Sequence, residues 1–180
     1  MFFWAVGFTS NPVYLRVFFT IDRTMYLTSL YGGGIIKAAM DGSNHTTIVA
    51  GWGIAVGITI DTHSSKLYWA NYADDEIQSC GLDGSGIETV AKLSSAPLGM
   101  AMVDQRLYWG LHNEKRVESR ATTGGNISSF YCDGAGKILQ LTSADWSLQV
   151  NQTNQCEGQT CVGVCVLSRT NFRCMVWGVS

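Results

Sequence analysis

Hydrophobic and polar positions fall into short runs along this chain, each cut off by turn residues, and this is the pattern of β-strands. Between residues 57 and 93 the runs are Gly57-Ile58-Thr59-Ile60-Asp61, Lys66 to Trp69, Ile77 to Leu82 and Glu88 to Leu93. β-Branched and aromatic side chains fill them. None carries the three-and-four spacing of an amphipathic helix ten or more residues long, so four strands and no helix are predicted over this stretch.

The same pattern returns at a fixed interval. Met25-Tyr26-Leu27-Thr28, Leu67-Tyr68-Trp69-Ala70 and Leu107-Tyr108-Trp109-Gly110 align without gaps, with the tyrosines 42 and 40 residues apart. Fifteen residues after each tyrosine comes a turn dipeptide: Asp41-Gly42, Asp83-Gly84 or Thr123-Gly124. Six residues before that turn stands a branched aliphatic residue, Ile35, Ile77 or Val117. Three landmarks kept in register over three copies define an internal repeat of about 40 residues. Four short antiparallel strands per repeat are the signature of a β-propeller blade.

Gly-x-x-x-Asp, then Leu-Tyr-Trp, then Ile, then Leu-Asp-Gly-Ser resembles the YWTD repeat of the low-density lipoprotein receptor family. The middle copy, Gly57 through Val90, carries the resemblance most fully, and it extends over residues 12 to 176. It implies an all-β fold, an arc of three blades from a six-bladed propeller over 12–150, with a truncated EGF-like module over 151–180. Six blades of about 40 residues would need about 240. The fourth motif position, Asp in the family, is Ser29, Asn71 and Leu111 here, and the first copy has Leu27 in place of Trp. The family Asp is held to bond between neighbouring blades, and Asn71 retains the capacity to donate and accept.

Four of the six cysteines crowd into the tail as Cys156-x4-Cys161-x3-Cys165-x8-Cys174. Four cysteines allow three pairings. The spacing resembles the first four cysteines of an EGF-like module, which implies Cys156 with Cys165 and Cys161 with Cys174; Val176 stands where the fifth cysteine is expected. A zinc site would call for C-x2-C knuckles, which are absent. Such small modules rely on disulfides that form in oxidising compartments. Cys80 and Cys132 lie outside the cluster and read as small buried hydrophobes or as a bridge. Sequons at Asn44, Asn126 and Asn151 are candidate glycosylation sites, the first two at equivalent places after the repeat's turn. Together these features imply an extracellular location, and the family resemblance implies the ectodomain of a single-pass membrane receptor.

Composition narrows the chemistry. With 46% hydrophobic residues, 20 Gly and 2 Pro, the chain is that of a packed, turn-rich domain. The 12 Lys and Arg are scattered, adjacent only at Lys115-Arg116, and the net charge is −2, so no basic stripe exists to track nucleic-acid phosphates. The apolar runs 51–60 and 161–167 fall well short of the ~20 residues that span a bilayer. The apolar start Met1 to Phe8 lacks the basic flank and cleavage site of a signal peptide. No nucleophile elbow, Walker loop or His-Glu-x-x-His is present, Gly32-Gly33-Gly34 has no following Lys-Ser/Thr, and no catalytic residue, metal ligand or cofactor is assigned.

In a propeller the loops joining the second to the third strand, and the fourth strand to the next blade, share one face. That face would gather Tyr72, Asp74, Asp75 and Glu76, then His112, Asn113 and Glu114, with Trp52 near a blade junction. Aromatics among carboxylates suit a basic peptide or protein ligand, while the same residues also fit a solvated acidic loop. Of the histidines, His45 and His63 fall in turns, and family analogy would give His112 a part in acid-triggered release. The expected function is non-catalytic binding of extracellular proteins by an endocytic or signalling receptor. Two alternatives are a metal-dependent gluconolactonase-like propeller hydrolase, whose Ala-Asn resembles Ala70-Asn71, and a structural matrix propeller of nidogen type.

Overall fold

A computed structural model describes residues 16–19, 24–29, 34–39, 43–51, 53–131, 141, 164–167 and 172–175. All elements among them are strands. They are β1 (Arg16–Phe19), β2 (Thr24–Ser29), β3 (Gly34–Ala39), β4 (Thr46–Ala50), β5 (Ala55–Asp61), β6 (Lys66–Asn71) and β7 (Glu76–Gly81). There follow β8 (Glu88–Lys92), β9 (Pro97–Val103), β10 (Arg106–Leu111), β11 (Arg116–Ala121), β12 (Gly124–Tyr131), β13 (Val164–Leu167) and β14 (Phe172–Met175). The first twelve form three four-stranded antiparallel meanders, β1 to β4, β5 to β8 and β9 to β12, each paired in sequence order. Each meander is one blade, and its boundaries follow the repeat.

The chain divides into two compact units, Met1–Asp145, which holds the blades, and Trp146–Ser180. In the second unit β13 and β14 form a hairpin whose register sets Cys165 opposite Cys174. Cys132, Asn151, Cys156 and Cys161 lie outside the described residues, as do the side chains of Cys165 and Cys174. The implied tail pairing therefore lies outside them too.

Strand alternation sends successive motif residues to opposite faces of a blade, and this explains why the motif needs two aromatics in a row. Tyr26, Ile35 and Val49 face forward from the first blade. They pack against Ile58, Ile60, Leu67 and Trp69 on the rear face of the second. One repeat later Tyr68, Ile77 and Ala91 face forward against Met100, Met102, Leu107 and Trp109 of the third. The motif tyrosine thus covers the blade after its own, and the tryptophan the blade before. Both Trp69 and Trp109 are fully buried.

The motif's small residues sit where blades come closest. A Cβ on Gly57 would lie 2.3 Å from the Leu98 carbonyl oxygen, because β5 and β9 converge there. Gly84 combines a φ of 89° with an approach to the Ile48 carbonyl that would bring a Cβ within 2.1 Å. The Asp-Gly turn is therefore a blade-to-blade contact as well as a turn. Asp61, which ends Gly-x-x-x-Asp, is buried and folds the β5–β6 turn over itself. Its carboxylate accepts from the backbone N–H of His63 at 2.9 Å and the hydroxyl of Ser64 at 2.7 Å.

Cys80 is a fully buried free thiol. Burial, reinforced by the Asp83 charge, pushes it up from an ordinary 9.0 to about 11. A thiol reagent at pH 8 is expected to leave Cys80 unlabelled until the protein unfolds, since the thiolate is the nucleophile. The same shift makes the folded state bind a proton that the unfolded state releases, so stability should fall between about pH 9 and about 11. Rapid labelling of Cys80 itself in the folded protein, measured by peptide mass mapping, would contradict this burial.

Candidate functional site

The loops joining second to third strands and blade to blade lie together, held by backbone hydrogen bonds. Tyr72 N–H donates to Ile54 O, Leu93 N–H to Asp75 O and His112 N–H to Ala96 O, each at 2.8 Å. The link 93–96 therefore lies between the β6–β7 turn and the start of the β10–β11 turn. Two of the sequence-predicted residues meet across this junction. The Tyr72 hydroxyl lies 2.9 Å from His112 Nδ1, and the rings are 5.4 Å apart, tilted by 58°. With its proton on Nε2, the imidazole accepts from the tyrosine. The two positions are one repeat apart, so a polar pair bridges the second and third blades at equivalent places.

Asn71 organises the β6–β7 turn from beneath. It is fully buried, its Oδ1 accepts from Ala73 and Asp74 N–H, and its Nδ2 donates to Asp74 Oδ2 at 2.8 Å and Gln78 Oε1 at 3.2 Å. These bonds stay within the second blade, so Asn71 shapes its own loop where the family Asp is held to bond between blades. Leu111, the counterpart in the third blade, is a buried apolar residue of the inter-blade core.

The acidic residues divide by what they touch. Asp74 is exposed at the tip of its turn, and Asp75, with a φ of 55°, is half-buried beside it. Glu76 begins β7 and is engaged by the sheet. It accepts from Thr89 Oγ1 at 2.9 Å and Gln78 Nε2 at 3.2 Å, and pairs with Lys92 at 3.2 Å. Burial works to raise its carboxyl, but the Thr89 and Lys92 bonds outweigh it and hold the group below its ordinary range. Glu114 is paired with Arg116 at 2.9 Å, and Asn113 is exposed. Trp52 lies outside the described residues.

Arg116 and Glu118 are additions that sequence reasoning passed over. Arg116 reaches Glu114, Glu118 at 3.2 Å and Ser94 Oγ at 3.1 Å, fastening the blade junction beneath the loops. Their signal was the period of two in Arg116-x-Glu118, which puts opposite charges on one strand face, with Glu114 in the turn just before it.

Three consecutive meanders stacked face to face, with loops gathered on one side, define a segment of a β-propeller. No family model matches the chain. Its curated relatives are receptors of the low-density lipoprotein receptor family, as the repeat motif implied. The vitellogenin receptor of Solenopsis invicta is 29% identical over 143 residues, 78% of this chain and 8% of that protein. Low-density lipoprotein receptor-related protein 5 of Mus musculus is 27% identical over 136 residues, 72% of this chain and 8% of that protein. The chain therefore spans less than a tenth of the receptors' length. Among solved structures, a nidogen/laminin complex aligns with a TM-score of 0.65 at 22% identity, over 71% of this chain and 52% of that one. A streptogramin B lyase aligns with a TM-score of 0.60 at 12% identity, over 71% and 44%. At these identities the structures establish the propeller fold alone. No helix among the described residues is long and apolar enough to cross a membrane.

Proposed function

We propose that this chain is an arc of an extracellular, non-catalytic propeller that binds a protein ligand on its loop face, within an endocytic or signalling receptor of the low-density lipoprotein receptor type. The observation that carries this reading is the bridged junction of Tyr72 and His112, which presents an aromatic and polar surface beside exposed Asp74 and Asn113 and half-buried Asp75. A partly buried aromatic rimmed by carboxylates suits a basic partner, with the aromatic supplying contact area and the carboxylates steering. Glu76, Glu114 and Trp52 belong to the same proposed surface, the first two by shaping it. The assignment of blades to 12–150 and of a disulfide-linked EGF-like segment to 151–180, with Cys156–Cys165 and Cys161–Cys174 bridges and glycans at Asn44, Asn126 and Asn151, is part of the proposal. So is the anchoring of the parent protein in a membrane.

Replacing Asp74 and Asp75 together with Ser tests the surface. In the full-length protein, association with basic secreted proteins should slow by roughly three- to tenfold at low ionic strength, and the difference should shrink as salt is raised. The thermal transition should fall only slightly, by the loss of the Asp74 bond to Asn71, because neither side chain carries the core. Unchanged association with every partner of the intact receptor would place the ligand elsewhere.

A further inference from the structure

The third blade differs from the second at the link between its outer strands. The β7–β8 connection runs over residues 82–87, and Leu82 and Ile87 pack back against the core shared with the first blade. The β11–β12 connection is only Thr122 and Thr123, with Gly124 and Gly125 at φ 103° and 97° letting β12 begin at once. Thr122 and Ile127 occupy the places of Leu82 and Ile87, and Ile127 is 39% exposed. With the packing loop gone, a groove of about 580 Å³ opens between β8 and β12. That lies within the ~300–1,000 Å³ of small-molecule sites.

The groove's walls are mixed. Val90 and Ile127 supply apolar surface, and Thr89, Lys92 and Arg120 supply polar groups. Arg120 donates through Nη1 to the Val90 carbonyl, and its buried Nε has no hydrogen-bond partner among the described residues. Asn126, exposed on β12 and part of the sequon Asn126-Ile127-Ser128, is itself a lining residue.

We infer that this groove seats the first sugars of an N-linked glycan carried by Asn126. N-acetylglucosamine offers an apolar ring face for Val90 and Ile127, and hydroxyl and acetamide oxygens for the guanidinium of Arg120 and the ammonium of Lys92. The covalent tether makes contact intramolecular, so weak individual interactions suffice. Asn44 is the internal reference: it occupies the equivalent repeat position but lies in an exposed loop with a φ of 53°. This inference rests on the extracellular reading above.

The test uses the full-length protein from secreting eukaryotic cells, with site occupancy mapped by mass spectrometry and glycan release by peptide N-glycosidase followed under native conditions. Release at Asn126 should be about tenfold slower than at Asn44, the protection a modest intramolecular contact confers. The two rates should converge after denaturation. Ile127→Thr keeps the sequon, removes an exposed side chain and should bring the native rates together. Equal native rates in the wild type, or slow release that I127T leaves unchanged, would overturn the inference. So would a bare Asn126 in a protein glycosylated at Asn44, leaving the extracellular reading intact. A protein bare at both positions would overturn both.

Discussion

Residues 1–180 produced alone are expected to self-associate through the forward face of the third blade. In the first two blades the forward residues Tyr26, Ile35 and Val49, and Tyr68, Ile77 and Ala91, are all 5% exposed or less. Their counterparts Tyr108 and Val117 are half-buried, and Phe130 is 51% exposed. The large exposed hydrophobics among the described residues, Ile127, Phe130 and Tyr131, all lie on β12. Tyr108, Val117 and Phe130, at about 1.5–3 kcal/mol each, amount to a sizeable part of the ~5–15 kcal/mol that holds a typical domain together. A face of this kind joins its like or another blade. Size-exclusion chromatography should show dimers or larger species, and Val117→Thr with Phe130→Ser should shift them toward monomer. A monodisperse wild-type monomer with a cooperative melt would show that the face is satisfied within the chain.

The sequence made the blades legible because their landmarks are local. The strand runs at 57–61, 66–69, 77–82 and 88–93 lie within two residues of β5 to β8 at every boundary, since alternation and turn residues act over a few positions. Ile35 and Ile77 proved to be fully buried forward residues. Less visible was anything that depends on what lies across a blade junction. The gapless alignment of Thr123-Gly124 with Asp83-Gly84 concealed that the third hairpin closes four residues sooner, because two consecutive positive-φ glycines let the strand start within the turn. Asp74-Asp75-Glu76 reads as one acidic run, yet the strand begins at Glu76 and draws that carboxylate to Thr89 and Lys92. The meeting of Tyr72 with His112 follows from their equal places in the repeat, but the bond needed the blades to be stacked.

The tryptophans should separate by the fate of their indole N–H. Replacing Trp69 or Trp109 with Ala removes a fully buried ring from an inter-blade core, and each is expected to cost about 3–5 kcal/mol. Replacement with Phe keeps most of the ring, so the remaining difference reports on hydrogen bonding. Trp109 Nε1 donates to Glu118 Oε2 at 3.1 Å, and the same buried carboxylate is shared with Arg116. Trp69 Nε1 is buried with no acceptor among the described residues. The cause lies in the neighbouring positions. Gln78, counterpart of Glu118, accepts from Asn71 through its oxygen and donates through its amide N–H to Glu76, whereas Leu111, counterpart of Asn71, makes no such demand on Glu118. Removing a donor that leaves a buried carboxylate short of a partner costs about 1–3 kcal/mol, whereas removing an unpaired donor relieves a desolvation cost. Trp109→Phe should therefore lower the urea midpoint of the intact protein more than Trp69→Phe, by the equivalent of about 1–3 kcal/mol. Equal losses from the two Phe variants would mean that Trp69 finds an acceptor after all.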